Sequence, residues 1–149
     1  MIEIVPFNPN HARILFAELR AHGRTLCYPE EMIIKAYQIK GSVATSLVLL
    51  DGLHIPLACG GIMFQEWNRG EAWILESPRI DAFKVALWKA MMKMLPLLAH
   101  EGAFRRVQAV CFSDGKGQMF RRLGFQYEGT LRSFGPIGQT GYLYSRIFQ

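Results

Sequence analysis

Three thiols and four imidazoles are the side chains of this 149-residue chain best suited to metal or nucleophilic chemistry, and their spacing argues against both. Cys27, Cys59 and Cys111 stand far apart, form no Cys-x-x-Cys pair and have no histidine cluster beside them. That pattern supplies neither a disulfide framework nor a zinc site, so no metal is expected. It fits reduced thiols buried in a core, in a reducing compartment. There is no Gly-x-Ser-x-Gly elbow, no phosphate loop of the Gly-x4-Gly-Lys-Ser/Thr type and no His-Glu-x-x-His. The basic pairs Arg105-Arg106 and Arg121-Arg122 lack the interleaved aromatic platform of a single-strand binder, and solvated helix ends explain them, so nucleic acid is not the expected partner.

Half of the residues are hydrophobic and 19% are charged, the opposite of a disordered chain. One domain over residues 1–149 is expected from the length, with a core that removes roughly two thirds of the unfolded surface from water. The aromatic content leaves area for a partner as well as a core, a second copy of the chain included. MIEIVPFNPN lacks the basic and apolar regions of a signal peptide, and no uncharged apolar run reaches the roughly 20 residues of a membrane span. A soluble, cytoplasmic protein is the expectation. Charge is uneven: residues 1–75 carry six Lys/Arg against seven Asp/Glu, residues 76–149 eleven against five. An anionic ligand or partner of the second half would account for this, and so would scattered surface charge.

The elements that must position any site follow from periodicity. IEIVPF alternates as a strand, and Asn8-Pro9 opens a helix with Ile14, Leu15 and Leu19 on one face. A second helix starts at Pro29-Glu30-Glu31 and runs to about Lys40, where Gly41 stops it. Ser42–Leu50 and Ile55–Gln65 read as strands joined at Asp51-Gly52, with Gly60-Gly61 marking a bulge or a close backbone approach. After a turn near Asn68-Arg69-Gly70, EAWILES is a further strand. IDAFKVALWKAMMKMLPLLAHEG is a long helix with a narrow polar stripe, and Pro96 predicts a kink or break in it. Met91, Met92 and Met94 read as adaptable core. RRVQAVCF is a strand, Ser113-Asp114 caps a short helix that Gly124 ends, and Gln126–Ser133 and Gly141–Phe148 are two closing strands. Ala72–Glu76 and Arg106–Phe112 are expected to lie parallel across a crossover.

The order β-α-α-β-β-β-α-β-α-β-β, with MFRRLGF after the penultimate crossover, resembles the GCN5-related N-acetyltransferase (GNAT) fold. The likeness spans almost the whole chain by element order and is sharpest from Arg105 to Arg146, where FRRLGFQYEG is similar to the family's ending. It implies an α/β fold: a mixed, mostly antiparallel sheet of six to seven strands, flanked by about four helices, with one splayed parallel strand pair. The tail EGTLRSFGPIGQTGYLYSR also resembles GNAT-like bacteriophage proteins, some of them internal virion proteins.

The resemblance implies acetyl-CoA in the splay, its pyrophosphate on the first N–H groups of the long helix. The backbone of Leu75, Glu76 and Ser77 would pair with the pantetheine arm. In PRIDAFKVA the family's basic position holds Asp81, its first glycine position holds Lys84, and only Ala86 keeps a small residue. Asp81 near a pyrophosphate costs on the order of a few kcal/mol at ~4–5 Å, which Lys84 and Arg79 would offset. The family's Asn and Tyr after the fifth strand fall on Ser113 and Phe120, and Phe120 has no proton to give a leaving thiolate. Glu76, at the end of the fourth strand, is the best-placed base for a substrate amine, ahead of Glu66, His54 and Glu128. Two readings result. One is an N-acyltransferase moving acetyl from acetyl-CoA to an amine, with a degenerate site. The other is a catalytically inactive GNAT-fold bacteriophage structural, virion or interaction protein with a phage or host protein partner, found in the virion when phage-encoded.

Overall fold

A computed structural model describes residues 1–24, 29–49 and 53–149. The Asp51-Gly52 turn and Cys27 lie outside the described residues. Along the chain come β1 (Ile2–Pro6), α1 (Pro9–Ala21), α2 (Glu30–Ala36), β2 (Val43–Leu49), β3 (Ile55–Glu66), β4 (Arg69–Glu76), a 3₁₀ segment (Pro78–Phe83), α3 (Lys84–Glu101), β5 (Arg106–Cys111), α4 (Asp114–Arg122), β6 (Gln126–Leu131) and β7 (Gly141–Ile147). The seven strands form one sheet in the order β1-β2-β3-β4-β5-β7-β6. Neighbours run antiparallel except β4 and β5, which run parallel.

Local chemistry sets the ends of α1 much as its sequence implies. Asn8 sits extended at φ −126°, its Oδ1 accepts the Asn10 N–H at 2.9 Å, and Pro9 occupies the first turn. The buried stripe is Ala12, Leu15, Phe16 and Leu19, while Ile14, expected on that face, is 46% exposed. The i, i+3, i+4, i+7 spacing of the former set explains the shift. α2 ends at Ala36, four residues before the expected Lys40, and Tyr37 packs its ring 5.0 Å from Phe7. Gly41, at φ +92°, closes the turn that follows instead.

Strand alternation divides the helices between two faces. Cys59, Trp73 and Leu75 pack with α1 and α2, whereas Ile62, Ala72 and Ile74 pack beneath α3. Gly60 and Gly61 mark a close backbone approach: a Cβ at Gly61 would lie 2.2 Å from the Val43 carbonyl oxygen, and one at Gly60 2.9 Å from that of Trp73. The irregularities in β3 pairing lie elsewhere, at Leu47/Val48 and Phe64/Glu66. The β3–β4 turn is tighter than expected. Glu66 pairs with Arg69 across Trp67 and Asn68, with Trp67 left-handed at φ +55°.

The long helix departs from expectation at its start. Ser77 and Pro78 open a 3₁₀ segment that drives Ile80 into the core at 5% exposure, and α-helical geometry begins only at Lys84. α3 then runs through Pro96 without interruption. The carbonyl that loses its partner belongs to Met92, which at 48% exposed is surface rather than the expected core, so water can satisfy it. At the end of α4, Gly124 takes φ +88°, Phe125 is buried, and Arg146 donates to the Leu123 carbonyl at 2.7 Å. That ending is as the sequence implies.

Candidate active site

β4 and β5 pair over three residues only: Arg69 with Arg106, Gly70 with Val107, Glu71 with Gln108. Both strands continue, to Glu76 and Cys111, held on their outer sides by β3 and β7. The stretch expected to pair, Ala72–Glu76, is therefore the stretch that parts from β5, and its second backbone edge faces a gap. A cleft of about 440 Å³ fills this gap. On one face it is bounded by Phe16, Leu19 and Trp73, on the other by Met91, Phe120 and Leu123. Its walls are mostly apolar. Among the described lining residues the charged ones are Arg24, Glu76 and Lys116.

Glu76 reaches across the mouth to Lys116 of α4, whose Nζ lies 2.5 Å from Glu76 Oε1. Glu76 pairs with Ala58 and therefore points to the face that carries α3. Ser113 caps α4, its Oγ accepting the Lys116 N–H at 3.4 Å. Phe120 lines the cleft and belongs to an aromatic group with Phe125 and Tyr144, each 5.6 Å away. Tyr144 lies on the buried side of α4, its hydroxyl 2.4 Å from where a Gly117 Cβ would stand. Cys111 at the end of β5 donates its thiol to the Ser113 carbonyl, and burial raises its pKa; burial pushes Cys59 up to about 12. Neither is a ready thiolate.

The segment after β4 is organised differently from the expected cradle. Ser77 is fully buried, and its N–H is already given to the Leu57 carbonyl at 2.8 Å, so it is not free for a ligand in the cleft. Its hydroxyl donates to Glu18 Oε2 at 2.9 Å and accepts the Arg79 N–H at 3.1 Å. Arg79 turns back to Glu18, 2.9 Å away, and toward the Pro56 carbonyl. Asp81 and Lys84 pair with each other at 3.0 Å, out in solvent. Leu75 is buried in the β4 wall, and Ala86 is half-buried in the first turn of α3. No side chain caps α3, which continues directly from the 3₁₀ segment. Of the weaker base candidates, Glu66 pairs with Arg69, Glu128 with Arg106, and His54 opens the approach to β3; none lines the cleft.

The structure thus brings Glu76, Ser113, Phe120 and Leu75 together and sets Arg79 and Lys84 in pairs of their own. Lys116 and Glu18 were not singled out from sequence. Forty residues separate Lys116 from its partner Glu76, and no local pattern links them.

No family model matches the chain, and no curated protein matches it by sequence. Solved structures do. Ard1 from Thermoplasma volcanium superposes with a TM-score of 0.80 at 13% identity, over 99% of this chain and 98% of that one. A GNAT superfamily phosphinothricin acetyltransferase from Sinorhizobium meliloti, in complex with AcCoA, gives 0.74 at 17% identity, over 99% and 88%. The chain has the GNAT fold. A mutant of the spermidine N-acetyltransferase from Vibrio cholerae gives 0.74 at 10% identity, over 98% and 93%. These neighbours speak to the GNAT fold and not to the bacteriophage resemblance of the tail.

The GNAT fold implies acetyl-CoA, and the residues present can be tested for it. The parted strands leave room for a slender arm. The loop before α3 lacks the small residues and free cation of the usual cradle, because Asp81 and Lys84 satisfy each other. The arm's path fits; the phosphate site is rearranged.

Proposed function

We propose that this chain is an acetyl-CoA-dependent N-acetyltransferase acting on a small amine, the class to which the spermidine enzyme among its structural neighbours belongs. The observation that carries this reading is the parting of β4 from β5 after Glu71, with a carboxylate at the rim of the gap. Acetyl-CoA supplies the activated acetyl group. The chain's own part is to hold and orient. The free edge of β4 around Leu75 aligns the arm by backbone hydrogen bonds, which need no particular side chain. Glu76 takes the proton from the amine as nitrogen becomes a nucleophile. Ser113, whose hydroxyl caps α4, has acceptor capacity left for the arm. Phe120 is an apolar wall and offers no proton to a leaving thiolate, so solvent would have to supply it. Positioning of amine and thioester carries most of the rate.

A second reading, a catalytically silent structural or interaction protein, is favoured by two features: Phe120 packed among Phe125 and Tyr144, and the Asp81–Lys84 pair. One titration separates the two. Acetyl-CoA at 100 times its dissociation constant stabilises the fold by ~2.7 kcal/mol. A rise in melting temperature with acetyl-CoA, and thiol release when amines are added, are expected. No thermal shift at about millimolar acetyl-CoA overturns the enzyme reading.

A further inference from the structure

We propose that Lys116 is the phosphate-holding residue of this cleft, and that its ion pair with Glu76 is exchanged for the cofactor's phosphate on binding, which frees Glu76 to act as base. The inference rests on the acetyltransferase reading above and assigns a residue and a coupling that the fold does not imply.

Three observations carry it. First, the cations expected to meet the phosphates do not line the cleft: Arg79 turns back to Glu18 at 2.9 Å, and Lys84 holds Asp81 at 3.0 Å in solvent. Second, among the described residues that line the cleft the cations are Lys116, which reaches Glu76 on the α3 and α4 side, and Arg24, which belongs to the α1 side. Third, the backbone of Lys116 is fixed by the Ser113 cap, while its side chain is held at the tip by Glu76. Ser113 caps the first turn of α4, yet the Lys116 side chain is 45% exposed and sits on a flexible four-carbon stem. The pair is 45% exposed at Lys116 and 22% at Glu76, so solvent screens it from the lysine side, and a doubly charged phosphate group can compete with the carboxylate there.

The pair also spans the gap. Glu76 belongs to β4 and Lys116 follows β5, so their contact ties the two walls together across the opening the arm must enter. Exchange of partners opens that tie and leaves the Glu76 carboxylate without its cation only when cofactor is present. Arrival of the cofactor and release of the base become one event.

Calorimetric titration of the 149-residue chain with CoA, dephospho-CoA and pantetheine tests this in the wild type, Lys116→Gln, Glu76→Gln and Lys84→Gln, with melting temperatures confirming that each variant folds. Lys116→Gln is expected to weaken CoA binding about tenfold, the loss of one charge-assisted contact, and to leave pantetheine within about twofold of wild type. Glu76→Gln is expected to tighten CoA severalfold, because Lys116 no longer has a competitor, and Lys84→Gln to change little. Retention of the Lys116→Gln defect with dephospho-CoA assigns the contact to the pyrophosphate; its disappearance assigns it to the 3′-phosphate; both support the proposal. Equal CoA affinity in wild type and Lys116→Gln overturns it while the enzyme reading stands. So does an equal loss for pantetheine, a weaker Glu76→Gln, or a Lys84→Gln defect as large as that of Lys116→Gln. Absence of CoA binding in both wild type and Glu76→Gln overturns this inference and the enzyme reading together.

Discussion

The two ends of the β4–β5 pair are secured by different physics. At the closed end the strands share backbone hydrogen bonds, and Phe104, 3% exposed, packs over Gly70 and Gly102. There Arg106 binds Glu128, which also accepts the Ser145 hydroxyl at 2.5 Å. At the open end the Glu76–Lys116 ion pair spans the gap. Apolar packing and a multiply bonded carboxylate fix one end. A half-exposed lysine on a flexible stem holds the other. Such a division lets a cleft change without disturbing the sheet that carries it, since local stability follows local packing density.

Substitutions along this axis probe the contrast. Phe104→Ala empties a well-packed site at the closed end and is expected to cost about 3–5 kcal/mol in denaturant unfolding. A loss under about 1 kcal/mol would show that the closed end is not the anchor described here. Glu128→Gln is a smaller change. Its carboxyl is held at about 2, below the ordinary 4.5, first by the Arg106 hydrogen bond and then by that of Ser145. With the folded value depressed, its contribution is fully present above about pH 4.5 and is lost as pH falls toward 2. Because the side chain is 35% exposed, solvent screening keeps the effect to about 1 kcal/mol or less. The stability gap between wild type and Glu128→Gln should therefore narrow over that acid window; a constant gap would contradict the assignment. Lys116→Gln is the smallest, within about 0.5 kcal/mol in unfolding free energy at neutral pH. A larger loss would make the open-end pair a structural fastener.

Much of the scaffold was legible because its signals are local. Asn8-Pro9 at a helix start, Ser113 as a cap and Gly124 as a left-handed stop depend on neighbours within a turn, and each holds in the structure. Where a distant partner intervenes, the reading slipped. Tyr37 finds Phe7 and α2 ends early. Ile80 finds the core under α3, and the long helix begins as a 3₁₀ segment. Of the candidate site residues, Glu76, Ser113, Phe120 and Leu75 meet at the cleft because element order alone places strand ends and the short helix there. Arg79 and Lys84, both basic and both near the right turn, could not be separated from free cations without knowing that Glu18 and Asp81 point at them.

By itself the sequence determined the succession of strands and helices and several of their caps and stops, because periodicity and capping are written within a few residues of each other; the GNAT fold was legible as a resemblance of that order and of the ending at Gly124-Phe125. Which backbone stretch of β4 loses its neighbour, and which lysine faces the carboxylate at the resulting gap, was decided only in three dimensions. Those outcomes depend on how two strands diverge after Glu71 and on a contact between residues forty positions apart, and no local pattern encodes either.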